Sequence, residues 1–268
     1  MKKFIVYTTL VLFFLVISVC FVINKSILYE ELPHGAVMHI LPASKGNNVH
    51  CAIILCPGGG YRFLETWREG YMWIPYFHYL GYTVAVLEYR MPNHNYKAPL
   101  VDGGESLQLM RNRAKEWGFD ENMVGMMGFS AGGHLVSTLM VDSDATDRPD
   151  FAVLFYPIVS MKGDITHRGA HDNLLGENAS EQLEIKYSPY LHVSEETPPA
   201  YIVVCTDDKI VNPRNAFSFY EQMGAKSRPV TLQTYPSGGH GWGYRLTFDH
   251  HRQMLKDLEK WLNHMHNQ

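Results

Sequence analysis

Short apolar runs recur along the chain, separated by longer stretches in which apolar positions return every three or four residues. The runs at 49–56, 82–87, 123–128, 151–159, 200–205 and 230–235 read as buried strands. Pro57-Gly58-Gly59-Gly60 stops the first, and Tyr89-Arg90-Met91-Pro92 closes the second. A helix-length stretch lies between these two. Asp102 is placed to cap a helix whose apolar positions Leu107, Leu109, Met110, Ala114 and Trp117 run up to Gly118. Further helices are predicted over 131–140, near 215–223 and over 248–264, whereas 161–199 is irregular and long for a connection. Strands alternating with helices predict an α/β fold, a mostly parallel central sheet with helices on both faces.

The first residues depart from this pattern. From Phe4 to Ile23 only Tyr7, Thr8, Thr9 and Ser18 interrupt an apolar run, which as a helix would span roughly 30 Å. Lys2 and Lys3 precede it and Lys25 follows, so the positive-inside bias puts Met1 in the cytoplasm and the bulk of the chain across the membrane. The expected division is a signal peptide or membrane anchor at 1–31 and a catalytic domain at 32–268, exported and either tethered or released. Val16-Ile17-Ser18-Val19-Cys20 is bulky for a signal peptidase site, and Val19 is large for the residue before a lipidated Cys20.

Composition narrows the classes. With 268 residues, 46% of them hydrophobic, the chain can bury a large core and is not disordered. A formal net charge of -4 offers no basic footprint for nucleic acid, so the expected partner is a small molecule or polysaccharide. Beyond Cys20 the cysteines are Cys51, Cys56 and Cys205, an odd number that excludes a full disulfide framework; Cys51 and Cys56 read as small core residues.

The chemistry centres on Gly128-Phe129-Ser130-Ala131-Gly132, a G-x-S-x-G sequence where a short strand meets a helix. A serine raised on that turn needs a base to take its proton, and His240 stands in the loop Pro236-Ser237-Gly238-Gly239-His240-Gly241 after the last strand. The third group must be a carboxylate that orients the histidine. Asp207 and Asp208 follow the strand at 200–205, and the loop alone leaves the choice between them open; Asp208 is preferred partly on a family resemblance, with Asp207 then a turn residue, and the order Ser130, Asp208, His240 is that of an α/β-hydrolase. Oxyanion donors are expected from the backbone of Ala131 and of Gly59 and Gly60. A dinucleotide reading of the same glycines fails because Phe63 takes the place of the third one. No metal or organic cofactor is required.

These motifs, with Leu87-Glu88-Tyr89-Arg90-Met91-Pro92, Gly133-His134-Leu135 and Thr197-Pro198-Pro199, resemble the bacterial α/β-hydrolase esterases grouped with acetylxylan and feruloyl esterases, over roughly residues 49–245. The resemblance implies Ser130, Asp208 and His240 as the triad, Gly59 and Gly60 as the oxyanion loop, and a cap inserted within 161–199. It also implies a serine esterase that removes short acyl groups from a sugar or polysaccharide. Pro57 departs from the histidine of the HGGG esterases, and Asn212 from the usual valine before Pro213. A prolyl-oligopeptidase-like peptidase and a tethered binding protein without turnover remain the alternatives. Tyr61, Tyr187, Tyr190 and Trp242 are the candidates to line the substrate cleft. His134 sits one turn past the serine, as a support for the site or a packed core residue, and His167 and His171 lack the glutamate of a zinc motif.

Overall fold

The computed structural model describes residues 26–93, 95–142 and 147–266; the apolar run at 4–23 and Cys20 lie outside them. Among the described residues β1 (Leu28–Glu31), β2 (Val37–Leu41), β3 (Ala52–Cys56), β4 (Thr83–Glu88), β5 (Val124–Phe129), β6 (Phe151–Phe155), β7 (Ala200–Cys205) and β8 (Val230–Tyr235) form one sheet. Its order is β1-β2-β4-β3-β5-β6-β7-β8. The pairs β1 with β2 and β2 with β4 are antiparallel, and every pair from β4 to β8 is parallel. Strands β3, β5, β6 and β7 are buried at every residue, which explains why they read as unbroken apolar runs.

The helices are α1 (Ile74–Tyr79), α2 (Ala98–Trp117), α3 (Ala131–Asp142), α4 (Arg168–Leu175), α5 (Glu181–Lys186), α6 (Arg214–Ala225) and α7 (His251–His266). From β3 the chain steps one way to β4, then back across β3 to β5. Right-handed crossovers therefore place α1 and α2 on opposite faces. Helix α3 packs on α2, while α7 returns to the face of α1, where Tyr76 donates to the Leu255 carbonyl at 2.9 Å and Trp261 packs on Phe151 and Tyr201. This is the α/β-hydrolase architecture expected from the sequence. The reversal at β3 sends the loops after β3 and β5 in opposite directions, which opens a crevice at the carboxyl ends of the strands.

Several elements differ from expectation. The antiparallel pair β1 and β2 was not predicted, because Leu28–Glu31 is short and largely exposed and shows no buried alternation. Helix α2 begins at Ala98, with Pro99 in its first turn, so Asp102 does not cap it. Asp102 is buried inside the helix, where its carboxylate accepts from the Arg90 amide at 2.7 Å and the Arg90 guanidinium at 2.6 Å. The strand expected over 151–159 ends at Phe155, because Tyr156 takes φ 38° and turns the chain away from the sheet. The long segment at 161–199 carries the short helices α4 and α5.

Candidate active site

The turn from β5 into α3 holds Ser130 at φ 52°, a conformation a side chain adopts only when its surroundings impose it. Flanking glycines make the turn possible. A Cβ at Gly132 would lie 2.0 Å from the Cys56 carbonyl oxygen, and one at Gly128 2.3 Å from that of Gly132. The Ser130 amide donates to the Phe155 carbonyl at 3.0 Å, which fixes the turn against β6.

His240 stands between Gly239 and Gly241, both at positive φ, in the loop after β8. Its Nε2 lies 2.9 Å from Ser130 Oγ and its Nδ1 2.6 Å from Asp208 Oδ2. A carboxylate only accepts, so Nδ1 carries the hydrogen and Nε2 is left to take a proton from the serine. The other Asp208 oxygen accepts the amides of Ile210 and Val211 at 2.9 and 3.0 Å, which holds the carboxylate in place. Asp207 faces elsewhere. It accepts the amides of Gly239 and Gly238 at 2.8 and 3.2 Å, and these bonds hold its carboxyl below its ordinary value. The two aspartates thus divide the work: one meets the imidazole and the other ties down its loop.

The loop after β3 runs beside Ser130. Gly59 and Gly60 sit at φ 127° and 63°, and a Cβ on Gly59 would lie 2.1 Å from the Phe63 carbonyl oxygen. Their amides donate to no group among the described residues, while the Gly60 carbonyl is held by Asn173 Nδ2 at 2.8 Å. Ala131 follows Ser130 as the first residue of α3, where a helix presents free amides. A cleft of about 370 Å³ is lined by Gly59, Gly60, Phe63, Ser130, Ile210 and His240. Gly169 and Asn173 of α4 also reach it, so the 161–199 segment does border the cleft.

Glu69 and Tyr156 escaped the sequence reading. Glu69 is 3% exposed; Oε2 accepts the Gly58 amide at 2.8 Å and Oε1 accepts the Tyr156 hydroxyl at 2.7 Å. That hydroxyl in turn accepts the Gly243 amide at 3.0 Å, and the Tyr156 ring lies 4.7 Å from the His240 ring. One buried carboxylate therefore links the glycine loop to the histidine loop. Burial pushes the Glu69 carboxyl up, against the opposing pull of its bonds to Tyr156 and Gly58. Nothing in the sequence around Glu69 marks it. Tyr156 could have been found by register, since Phe155 pairs with Phe129 and the next residue must flank Ser130.

None of the four aromatic candidates lines the cleft at Ser130. Trp242 is buried against Phe248, ring centroids 4.4 Å apart, and Tyr187 is buried beneath the surface. Tyr190 is partly buried against the core, and Tyr61 borders a neighbouring cavity. Their apolar area is better used in the core than at a wet cleft. His134 is buried, with Nδ1 2.7 Å from the Tyr61 hydroxyl and Nε2 2.8 Å from the Tyr187 carbonyl, and desolvation pushes it down to about 4. His167 caps α4 by accepting the Ala170 amide, and His171 meets Asp172 and Glu184, so the two do not form a pair.

A family profile described as BD-FAE matches residues 38–223. An acetylxylan esterase of Xylanibacter ruminicola is 37% identical over 215 residues, 79% of this chain and 45% of that protein. Endo-1,4-beta-xylanase B of Butyrivibrio fibrisolvens is 29% identical over 230 residues, 79% of this chain and 35% of that protein. The chain thus spans less than half the length of these curated relatives. Among solved structures, an acetyl ester-xyloside bifunctional hydrolase from Caldicellulosiruptor lactoaceticus superposes with a TM-score of 0.78 at 30% identity, covering 85% of this chain and 88% of that one.

Proposed function

We propose, since this chain belongs to the BD-FAE family, that it is a serine carboxylic ester hydrolase that removes short acyl groups, acetyl foremost, from a sugar or polysaccharide such as xylan. The observation that carries the reading is the hydrogen-bonded series Ser130 Oγ, His240 and Asp208, with separations of 2.9 and 2.6 Å. The acetylxylan esterase and the acetyl ester-xyloside hydrolase among its relatives support the substrate class.

In this reading Ser130 Oγ attacks the ester carbonyl as His240 Nε2 takes its proton, and Asp208 stabilises the imidazolium that results. The amides of Ala131, Gly59 and Gly60 receive the oxyanion. His240 then gives the proton to the departing alcohol, leaving an acyl-enzyme on Ser130, and a water activated by the same imidazole releases the acid. The residues before β1 would carry the catalytic domain to the outer side of the membrane; that domain starts at β1 (Leu28–Glu31), which pairs into its sheet, and not at the expected boundary of 32, and among the described residues no helix is long and apolar enough to cross a membrane. The preformed serine–histidine bond favours turnover over a binding role.

Hydrolysis of p-nitrophenyl acetate and release of acetate from acetylated xylan by the full chain test the proposal. Ser130→Ala should lose at least about 10³-fold in kcat. A folded wild type inert on both substrates would refute it.

A further inference from the structure

We propose that a second cavity beside the catalytic cleft is a subsite for the carbohydrate chain of the substrate, with Tyr96, Asn93, Arg62 and Glu177 as its contacts; the inference rests on the sugar-ester reading above. The cavity has a volume of about 630 Å³, against about 370 Å³ for the cleft at Ser130, and Arg62 and Asn173 line both. An acetyl group needs little room, so the larger space lies beyond what the bond being cut requires. It falls in the size range of pockets that enclose a whole small ligand, roughly 300–1,000 Å³.

The walls are fixed from behind. Asn173 joins α4 to the Gly60 carbonyl at 2.8 Å, at the border between the two spaces. A backbone carbonyl only accepts, so His134 Nε2 carries the hydrogen towards Tyr187, and Nδ1 accepts the Tyr61 hydroxyl at 2.7 Å. Burial keeps His134 neutral near neutral pH, so this arrangement does not titrate under assay conditions. Tyr96 rests edge-on against the buried Tyr187, ring centroids 5.2 Å apart. Tyr61 and Tyr96 are thereby held in place before any ligand arrives, which lowers the ordering cost of binding.

The lining selects the chemistry of the ligand. Tyr96 and Met91 offer apolar surface to the C–H face of a pyranose. Among the described residues no hydrogen bond or ion pair engages the side chains of Arg62, Asn93 or Glu177, Arg168 reaching only the Glu177 backbone carbonyl, so their donors and acceptors are available to sugar hydroxyls. Arg62 and Glu177 add one charge of each sign to the lining, while Asp172 is engaged by Arg168 and His171. That balance suits a neutral polyhydroxylated chain rather than an anion. An aryl acyl group would cover these polar groups without pairing them, which is unfavourable.

The test compares kcat/KM of the full chain on p-nitrophenyl acetate, acetylated xylose and acetylated xylo-oligosaccharides of increasing length. For the wild type kcat/KM should rise at least about 10-fold from the monosaccharide to the tetrasaccharide. In Tyr96→Ala and Glu177→Gln the ratio of tetrasaccharide to p-nitrophenyl acetate activity should fall at least about 10-fold, chiefly through KM. Unacetylated xylotetraose should bind Ser130→Ala in calorimetry and lose that binding when Tyr96→Ala is added. Equal efficiency at all lengths, or variants that keep the chain-length rise, would overturn the subsite while the esterase reading stands. Hydrolysis of p-nitrophenyl acetate without any sugar ester would remove the substrate class and the subsite together. Loss of methyl ferulate hydrolysis in Tyr96→Ala, with chain-length dependence unchanged, would make the cavity an acyl pocket and overturn the proposal.

Discussion

Tyr156→Phe removes one oxygen and leaves the aromatic ring against His240 and Trp242. Two buried groups then lose their partner: Glu69 Oε1, which accepted that hydroxyl at 2.7 Å, and the Gly243 amide, which donated to it at 3.0 Å. A hydrogen bond to a charged group contributes about 1.5–3 kcal/mol and a neutral one about 0.5–1.5 kcal/mol, so the two together amount to roughly 2–4.5 kcal/mol. Neither orphan can turn to water readily, because Tyr156 and Glu69 are buried beneath the loops they join. For a domain of this size the corresponding fall in Tm is about 5–15 °C. Urea unfolding of wild type and variant measures the difference directly, as a lower midpoint at unchanged slope. A loss below about 1 kcal/mol would refute the reasoning, since it would mean that Glu69 and Gly243 do not depend on this hydroxyl.

Four further outcomes follow from the same geometry. Asp208→Asn should lower kcat by about 10⁴-fold, because the amide favours the wrong histidine tautomer. Asp207→Asn should cost less than about 10-fold, since it meets only the backbone of the histidine loop; comparable losses in steady-state assays would show that the two roles are misassigned. Gly59→Ala should lose about 10²–10³-fold in kcat with the fold retained by circular dichroism, because its Cβ would collide with the Phe63 carbonyl and displace the loop proposed to receive the oxyanion. Wild-type activity in this variant would remove the loop from the mechanism. Glu69→Gln should change the pH dependence of stability. The folded-state pKa of Glu69 is raised, so between its ordinary and its raised value the folded state binds a proton that the unfolded chain has released; wild-type stability therefore falls as pH rises through that window. The variant lacks this fall. Parallel unfolding profiles for the two proteins, from mildly acidic to neutral pH, would contradict the sign.

How far the chain could be read varied with the kind of signal. The strands at 200–205 and 230–235 appear with the predicted bounds, because each is bracketed by turn residues. Helix α2 was misplaced at its start, because Asp102 looks like a cap by residue type and only the folded chain brings Arg90 to its carboxylate. The cleft was legible where chemistry demands a residue type on a loop after a strand, as at Ser130, Asp208 and His240. Choosing Asp208 over Asp207 needed the resemblance, since adjacent residues in a loop carry no periodicity that assigns their directions.

By itself the sequence determined the alternation of buried strands and helices, the glycines without which the turn at Ser130 cannot form, and the order of the reactive groups along the chain. Each of these is a local property, legible from spacing and residue type. Only the tertiary structure decided what lies behind and beside the cleft: Glu69 joining loops that are far apart in sequence, Tyr156 against the imidazole, Trp242 in the core, and Tyr96 on Tyr187 in a second cavity. The physical reason is that a buried carboxylate or an aromatic ring gains its role from groups brought next to it by strand order and crossover direction, and those neighbours leave no mark on the residues adjacent in the chain.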